Sequence, residues 1–168
     1  MIKIVFTASD TWIGRLIRCL TRGKVSHVMI QYPSDLWGGE WIAEATATGV
    51  RKIPADRARH HVMAEFQCSF DPGPALKKIS AHVGSSYDYA GVFVLAWAIV
   101  SWRLFRRKVR RPLNNTKGQF CSEFVSRFFR AADLPGTERW NPERSSPQRL
   151  LQYCTKHPDL FVESPSPS

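Results

Sequence analysis

Five β-rich segments lie within the first seventy residues of this 168-residue chain, and they constrain its fold more than any other feature. Each is a short run of β-branched, aromatic and other apolar residues bounded by glycine, proline or small polar residues, which is typical of strands. The predicted strands are Ile2–Thr7, Val25–Tyr32, Trp41–Thr46, Val50–Pro54 and His61–Phe70. This part of the chain predicts an antiparallel sheet.

Helical patterns are found mostly in the second half of the chain. One earlier helix is predicted to begin after Asp10 as N-cap, to place Trp12 and Leu16 on its apolar face, and to end at Gly23. The remaining predicted elements are helices from Pro72 to about Val83, Phe120–Ala132 and Ser146–Tyr153, and a strand Asp159–Glu163. The pattern predicts one α+β domain over residues 1–163, with helices packed on the sheet and a disordered tail, Ser164–Ser168.

The length and the cysteine content exclude a domain that depends on a metal or on disulfides. A chain of this size buries roughly two-thirds of its unfolded surface without such cross-links. The four cysteines are far apart, with neither a C-x-x-C pair nor zinc-ligand spacing, and we expect no structural metal. The N-terminus Met1–Thr7 lacks the apolar region of a secretory signal, so we expect a cytoplasmic protein with free thiols.

The formal net charge is +10, and most of the excess lies between Ser101 and Arg130. Such a segment attracts an anionic membrane, a cell-wall polymer or nucleic acid, of which nucleic acid is the least favoured here. The alternative interpretation is a solvated basic loop. The core of the segment consists of Arg103, Arg106, Arg107, Lys108, Arg110 and Arg111.

The apolar run Tyr89–Trp102 is shorter than the roughly 20 residues that a bilayer requires. It predicts a buried core helix. The alternative is a segment at a membrane interface, because Trp97 and Trp102 precede the basic cluster.

His27 and Glu44 lie on adjacent predicted strands. If the strands form a hairpin about the loop 33–40, the positions facing His27 fall near Glu44 to Thr46. A carboxylate among Trp41, Ile42, Ala43 and Ala45 is costly to bury without a partner, which favours a contact between Glu44 and the imidazole. Taken singly, each of the two residues is more simply explained as structural.

Cys121 begins a predicted helix whose apolar residues include Phe124 and Phe128. Amides at a helix N-terminus favour a thiolate and can also hold the oxyanion of a tetrahedral intermediate. A thiol, an imidazole and a carboxylate that orients it are the components of a cysteine hydrolase. Taken alone, Cys121 is more simply explained as a small buried residue than as a nucleophile.

The order of these segments resembles the permuted NlpC/P60 papain-like family, and within it the YiiX-like cysteine hydrolases, relatives of lecithin:retinol acyltransferase. In the permuted members, as here, the histidine precedes the cysteine. The resemblance covers roughly Met1–Asp133 and rests on Ser26-His27-Val28, Ala43-Glu44-Ala45 with Gly49-Val50, Gly84 with Tyr87-Asp88, and Phe120-Cys121-Ser122-Glu123-Phe124-Val125.

That resemblance implies a circularly permuted papain-like fold in which Cys121 is the nucleophile, His27 the general base and acid, and Glu44 the residue that orients the ring. Tyr87 would be a hydroxyl donor near the oxyanion, and Glu123 a buried structural partner of an arginine. The reaction would be acyl transfer through a thioester, without metal or cofactor.

The substrate class stays open at this point. Amide hydrolysis of a cell-wall (peptidoglycan) peptide is favoured. The protein would then be a phage or effector protein that is delivered to the cell envelope. A lipid amide or ester hydrolase or acyltransferase is the first alternative. The second is a non-catalytic basic module that binds an anionic membrane or nucleic acid.

Overall fold

A computed structural model describes residues 1–34, 38–46, 49–58, 61–80 and 121–165. Within these ranges there are six strands and four helices, which confirms the α+β prediction. The strands are β1 (Lys3–Thr7), β2 (His27–Pro33), β3 (Glu40–Thr46), β4 (Gly49–Pro54), β5 (Val62–Cys68) and β6 (Phe161–Ser164). The helices are α1 (Trp12–Thr21), α2 (Gly73–Ser80), α3 (Cys121–Ala131) and α4 (Pro147–Lys156).

The strands form a single sheet in the order β4-β3-β2-β1-β5-β6, and every neighbouring pair is antiparallel, as the sequence predicts. The strand that carries His27 therefore lies beside the strand that carries Glu44, and β4 lies beyond it at the edge. This order brings residues of β2, β3 and β4 side by side.

Apolar residues alternate along the strands, so that one face of the sheet forms the main core with α2, α3 and α4. Directly opposed pairs such as Ile4 with Ile30 and Phe6 with Val28 belong to this face. Phe124 and Phe128 of α3 are almost fully buried against it. The opposite face has a smaller cluster around Val5, Met29 and Ile42. Packing on the main core fixes α3 relative to β2 and β3.

Helix α1 differs from the prediction at both ends. Its N-cap is Thr11, whose hydroxyl accepts a hydrogen bond from the amide of Gly14, rather than Asp10. Arg22, not Gly23, takes the left-handed conformation that ends the helix, with a φ of 50°. Trp12 is 62% exposed and is therefore not on the buried face. The N-cap lies one residue later than predicted and the left-handed residue one residue earlier, each stabilised by a hydrogen bond within the helix.

The C-terminal region shares the main core. Phe129 of α3 packs its ring 5.5 Å from that of Tyr153 in α4 and 5.2 Å from that of Phe161 in β6, measured between centroids. Ser164, which the sequence assigned to a disordered tail, instead pairs with Glu65 as the last residue of β6. That part of the prediction was wrong, because β5 offers a free edge for the last strand.

Predictions that fall outside the described residues are the buried helix Tyr89–Trp102, the basic cluster Arg103–Arg111, Tyr87 beside the site with its motif neighbours Gly84 and Asp88, and residues 166–168 of the tail. Among the helices that the structure describes, none has the length and apolar character needed to cross a bilayer.

Candidate active site

His27 and Glu44 meet where β2 and β3 separate. The pairs between these strands run from Pro33 with Glu40 to Ile30 with Ala43. Continued along both strands, this register sets His27 level with Thr46 and makes Glu44 its diagonal neighbour on the same face. Glu44 Oε2 lies 2.8 Å from His27 Nε2. The predicted contact is therefore present, and His27 is the first residue of β2 rather than a central one.

Glu44 has a second partner, Arg51 of β4. The guanidinium donates from Nε at 3.0 Å and from Nη2 at 2.8 Å, both to Glu44 Oε1. Arg51 lies directly opposite Glu44 in the β3–β4 ladder. The carboxylate is completely buried, and an unpaired carboxylate there would cost several kcal/mol. With one oxygen bound to Arg51 and the other to His27, both carboxylate oxygens are paired.

Cys121 is the first residue of α3, and its side chain is 7% exposed. The helix is held in place by its apolar face and by hydrogen bonds near its start. The Ser122 hydroxyl donates to the carbonyl of Ser145 at 2.9 Å, and the Ser145 hydroxyl bonds that of Ser126 at 2.9 Å. These contacts fix the first turn of α3 against the segment that leads into α4.

The thiol of Cys121 hydrogen-bonds the imidazole of His27. Since Nε2 is bound to Glu44, Nδ1 is the ring nitrogen left for the thiol. The backbone amides of Val28 and Ser122 also point at the sulfur. Val28 lies on β2 beyond the last residue pair between β2 and β3, and the amide of Val28 bonds the thiol instead of β3. Three elements, β2, β3 and α3, thus meet at one point.

These contacts favour a thiolate and an imidazolium. Burial raises the pKa of Cys121, but the charge of His27, its hydrogen bond and the two backbone amides outweigh this effect, and the pKa falls below its usual value. Burial also lowers the pKa of His27, but the charge of Cys121 and the bonds to Cys121 and Glu44 raise the pKa to about 10. The thiolate of Cys121, the imidazolium of His27 and the carboxylate of Glu44 thus alternate in charge, and each stabilises its neighbour.

The other cysteines lack this environment. Burial raises the pKa of Cys68 to about 12 and that of Cys154 well above its usual value, and both thiols stay protonated at neutral pH. Cys19 is exposed on α1. All four cysteines are free. Among the described residues, a cation lies beside the buried thiol of Cys121, and none is found beside the buried thiols of Cys68 and Cys154.

Two further motif residues have structural roles. Ser26 is 2% exposed, and its hydroxyl accepts the amide of Ser9 at 2.8 Å, which anchors the start of β2 to the turn before α1. Glu123 binds Arg127 one turn later on α3, at 2.7 Å from Nη2. The predicted arginine partner of Glu123 is confirmed. Both residues hold the segments that carry His27 and Cys121.

Sequence reasoning missed Arg51 and the amide of Val28. A signal for Arg51 was present: two strands joined around Gly49 form a tight hairpin, and its register sets Glu44 opposite Arg51. No local pattern indicated Val28, because its role depends on how far β2 and β3 remain paired. The amide of Ser122 follows from the position of Cys121 at a helix N-terminus.

Within the described part of the chain, no three His, Cys, Asp or Glu side chains are grouped closely enough to hold a metal ion. The chemistry of the described site is that of a thiol, an imidazole and a carboxylate. In comparisons with known proteins, the sequence matched no protein-family model, and the search of curated proteins returned no match.

Proposed function

We propose that this protein is a cysteine hydrolase that cleaves an amide bond through Cys121, His27 and Glu44. The observation that carries the proposal is the buried contact of the Cys121 thiol with an imidazole whose Nε2 lies 2.8 Å from a carboxylate. A thiol with a lowered pKa, a base beside it and a third group on that base are what nucleophilic catalysis requires. A permuted papain-like fold, which the sequence resemblance implies, would accommodate this arrangement.

The reaction has two acyl-transfer steps. The Cys121 thiolate attacks the carbonyl carbon, and the amides at the start of α3 stabilise the oxyanion. His27 gives its Nδ1 proton to the leaving nitrogen, the C–N bond breaks, and a thioester remains. His27 then takes a proton from water, hydroxide attacks the thioester, and the carboxylic acid leaves as the thiolate and imidazolium re-form. Glu44 holds the ring in one orientation throughout.

The proposed substrate is a cell-wall peptide, with an N-acyl lipid as the second class to be tested. The basic segment 103–111 would hold the enzyme at an anionic polymer or membrane. Zymography on purified peptidoglycan beside a panel of N-acyl lipids separates the two classes. Turnover of neither would favour a basic binding module, for which Cys121→Ala would leave function intact and charge reversal at Arg106, Arg107 and Arg110 would remove it.

The hydrolysis rate should follow a bell-shaped pH profile. Cleavage needs Cys121 as thiolate and His27 protonated, so the rate rises as pH passes the lowered pKa of Cys121 and falls as pH passes about 10, where His27 loses its proton. Alkylation of Cys121 needs only the thiolate and should therefore keep its acid limb and lack the alkaline fall. A hydrolysis profile that falls near pH 6.5, the usual imidazole pKa, would contradict the ion pair.

Iodoacetamide at pH 6 tests the nucleophile without a substrate. An ordinary thiol is about 0.3% thiolate at this pH, and because the pKa of Cys121 is lowered, this thiol should hold a larger thiolate fraction and react faster than the exposed Cys19. Mass spectrometry of the digested protein gives the rate at each cysteine. His27→Ala should remove the advantage of Cys121, because the cation that stabilises the thiolate is lost.

Cys68 and Cys154 are internal controls, since both are buried with raised pKa values and should stay unlabelled in the folded protein. Labelling of either would show that the preparation is unfolded. Equal rates at Cys121 and Cys19 in a folded sample would overturn the proposed nucleophile.

A further inference from the structure

Arg51 completes a row of four side chains in which charges of opposite sign alternate across four elements. Cys121 of α3 contacts His27 of β2, His27 contacts Glu44 of β3, and Glu44 contacts Arg51 of β4. Taken as thiolate, imidazolium, carboxylate and guanidinium, the row sums to zero. Without Arg51 the same row would hold a net negative charge at a carboxylate that has no exposed surface.

The geometry shows how Arg51 acts on the site. Both of its donors, Nε and Nη2, bind the same carboxylate oxygen, Oε1, at 3.0 and 2.8 Å. Two donors on one oxygen restrain the rotation of the carboxylate, and Oε2 is then directed at His27 Nε2. The guanidinium side chain itself is 47% exposed, so it reaches the buried carboxylate from the surface. It holds an internal group in place without being buried itself.

We infer that Arg51 is a positioning residue for the proposed reaction: it keeps Glu44 ionised and fixed, and through Glu44 it keeps His27 oriented toward Cys121. This inference rests on the proposed function. Arg51 lies three contacts away from the sulfur, with Glu44 and His27 in between, and nothing in the arrangement requires it to touch the substrate.

The consequence of removing Arg51 has a definite sign. The described charged or titratable groups that contact Glu44 are His27 from β2 and Arg51 from β4, and Cys121 from α3 faces the other side of the imidazole. A buried carboxylate that loses its guanidinium partner binds a proton more readily. A neutral Glu44 no longer stabilises the imidazolium, so His27 loses its proton more readily. The thiolate of Cys121 then loses the positive charge beside it. The acid limb of Cys121 alkylation should therefore move to higher pH.

The experiment is the pH dependence of Cys121 alkylation in three variants of the full chain. Arg51→Met should move the acid limb of the alkylation profile up by about one pH unit relative to the original protein, which lowers the rate about tenfold at pH values below the midpoint of that limb. Arg51→Lys keeps the positive charge and should recover most of this loss. Lys52→Met removes a neighbouring charge on β4 opposite Ala43 and should leave the profile unchanged.

The outcomes separate the inference from the proposal on which it rests. If Arg51→Met unfolds at a lower temperature but keeps the original alkylation profile while folded, Arg51 is only structural and the inference is wrong. An equal shift in Lys52→Met would show a general charge effect and would also overturn it. If Cys121 of the original protein reacts no faster than Cys19, the proposed nucleophile fails, whatever the Arg51 variants do.

Discussion

Cys121→Ala is expected to abolish amide cleavage, and His27→Ala is expected to lower kcat by up to about 10⁶-fold, the scale seen when a nucleophile or its base is removed. The reason is that the two side chains act as a unit. Without the imidazole the thiol has lost the charge that lowers its pKa, and the leaving nitrogen has lost its proton donor. The measurement is steady-state turnover of a substrate identified by the peptidoglycan and lipid panel.

The matched controls are Cys19→Ser and His61→Ala, which change an exposed thiol and an exposed imidazole outside the site. Both variants should keep full activity. The double variant Cys121→Ala with His27→Ala should be no worse than Cys121→Ala alone, because the second loss removes a partner that no longer has a role. Turnover retained in Cys121→Ala would refute covalent catalysis at this residue.

Among substitutions of the buried residues of α3, Phe129→Ala should cause the largest loss of unfolding free energy. Its side chain has no exposed surface, and its ring lies within 6.5 Å of the rings of Phe128, Trp140, Tyr153 and Phe161. Truncation of a fully buried phenylalanine costs about 3–5 kcal/mol of unfolding free energy. For a chain of this length the melting temperature should fall by about 10 °C. Chemical denaturation and a thermal melt both measure this change.

Phe129→Leu is the matched control, since it keeps most of the apolar volume and should cost clearly less. Because Phe129 joins α3 to α4 and β6, loss of its ring should weaken the whole domain in one transition. Separate melting of the C-terminal segment in Phe129→Ala would contradict the single core. An unchanged melting temperature would show that the packing around the ring is not what stabilises α3.

The strands and the α+β class could be predicted from the sequence because the alternation of apolar residues is a local pattern. Observed strand ends differ from the predicted ones by a few residues, as for β5, observed at Val62–Cys68 and predicted at His61–Phe70. The errors lie where neighbouring residues compete for one role, such as Asp10 and Thr11 before α1. Ser164 was misassigned because its pairing partner, Glu65, is distant in the chain.

For the candidate site, too, the sequence indicated some features and could not show others. The sequence indicated His27, Glu44 and Cys121 as residues of suitable chemistry, and the hairpin about 33–40 indicated that His27 and Glu44 are neighbours. It could not show that Arg51 closes the row or that the Val28 amide points at the sulfur. Those contacts depend on the β3–β4 register and on where β2 and β3 separate.

The sequence by itself determined which segments form the antiparallel sheet and which side chains could carry acyl-transfer chemistry, because residue type and spacing act over a few positions. Only the tertiary structure decided their ionisation. The pKa of Cys121 is lowered and that of His27 is raised to about 10 because β2, β3 and α3 bring opposite charges into contact in a buried place. Charge interactions strengthen as water is excluded, and that exclusion is a property of the folded chain.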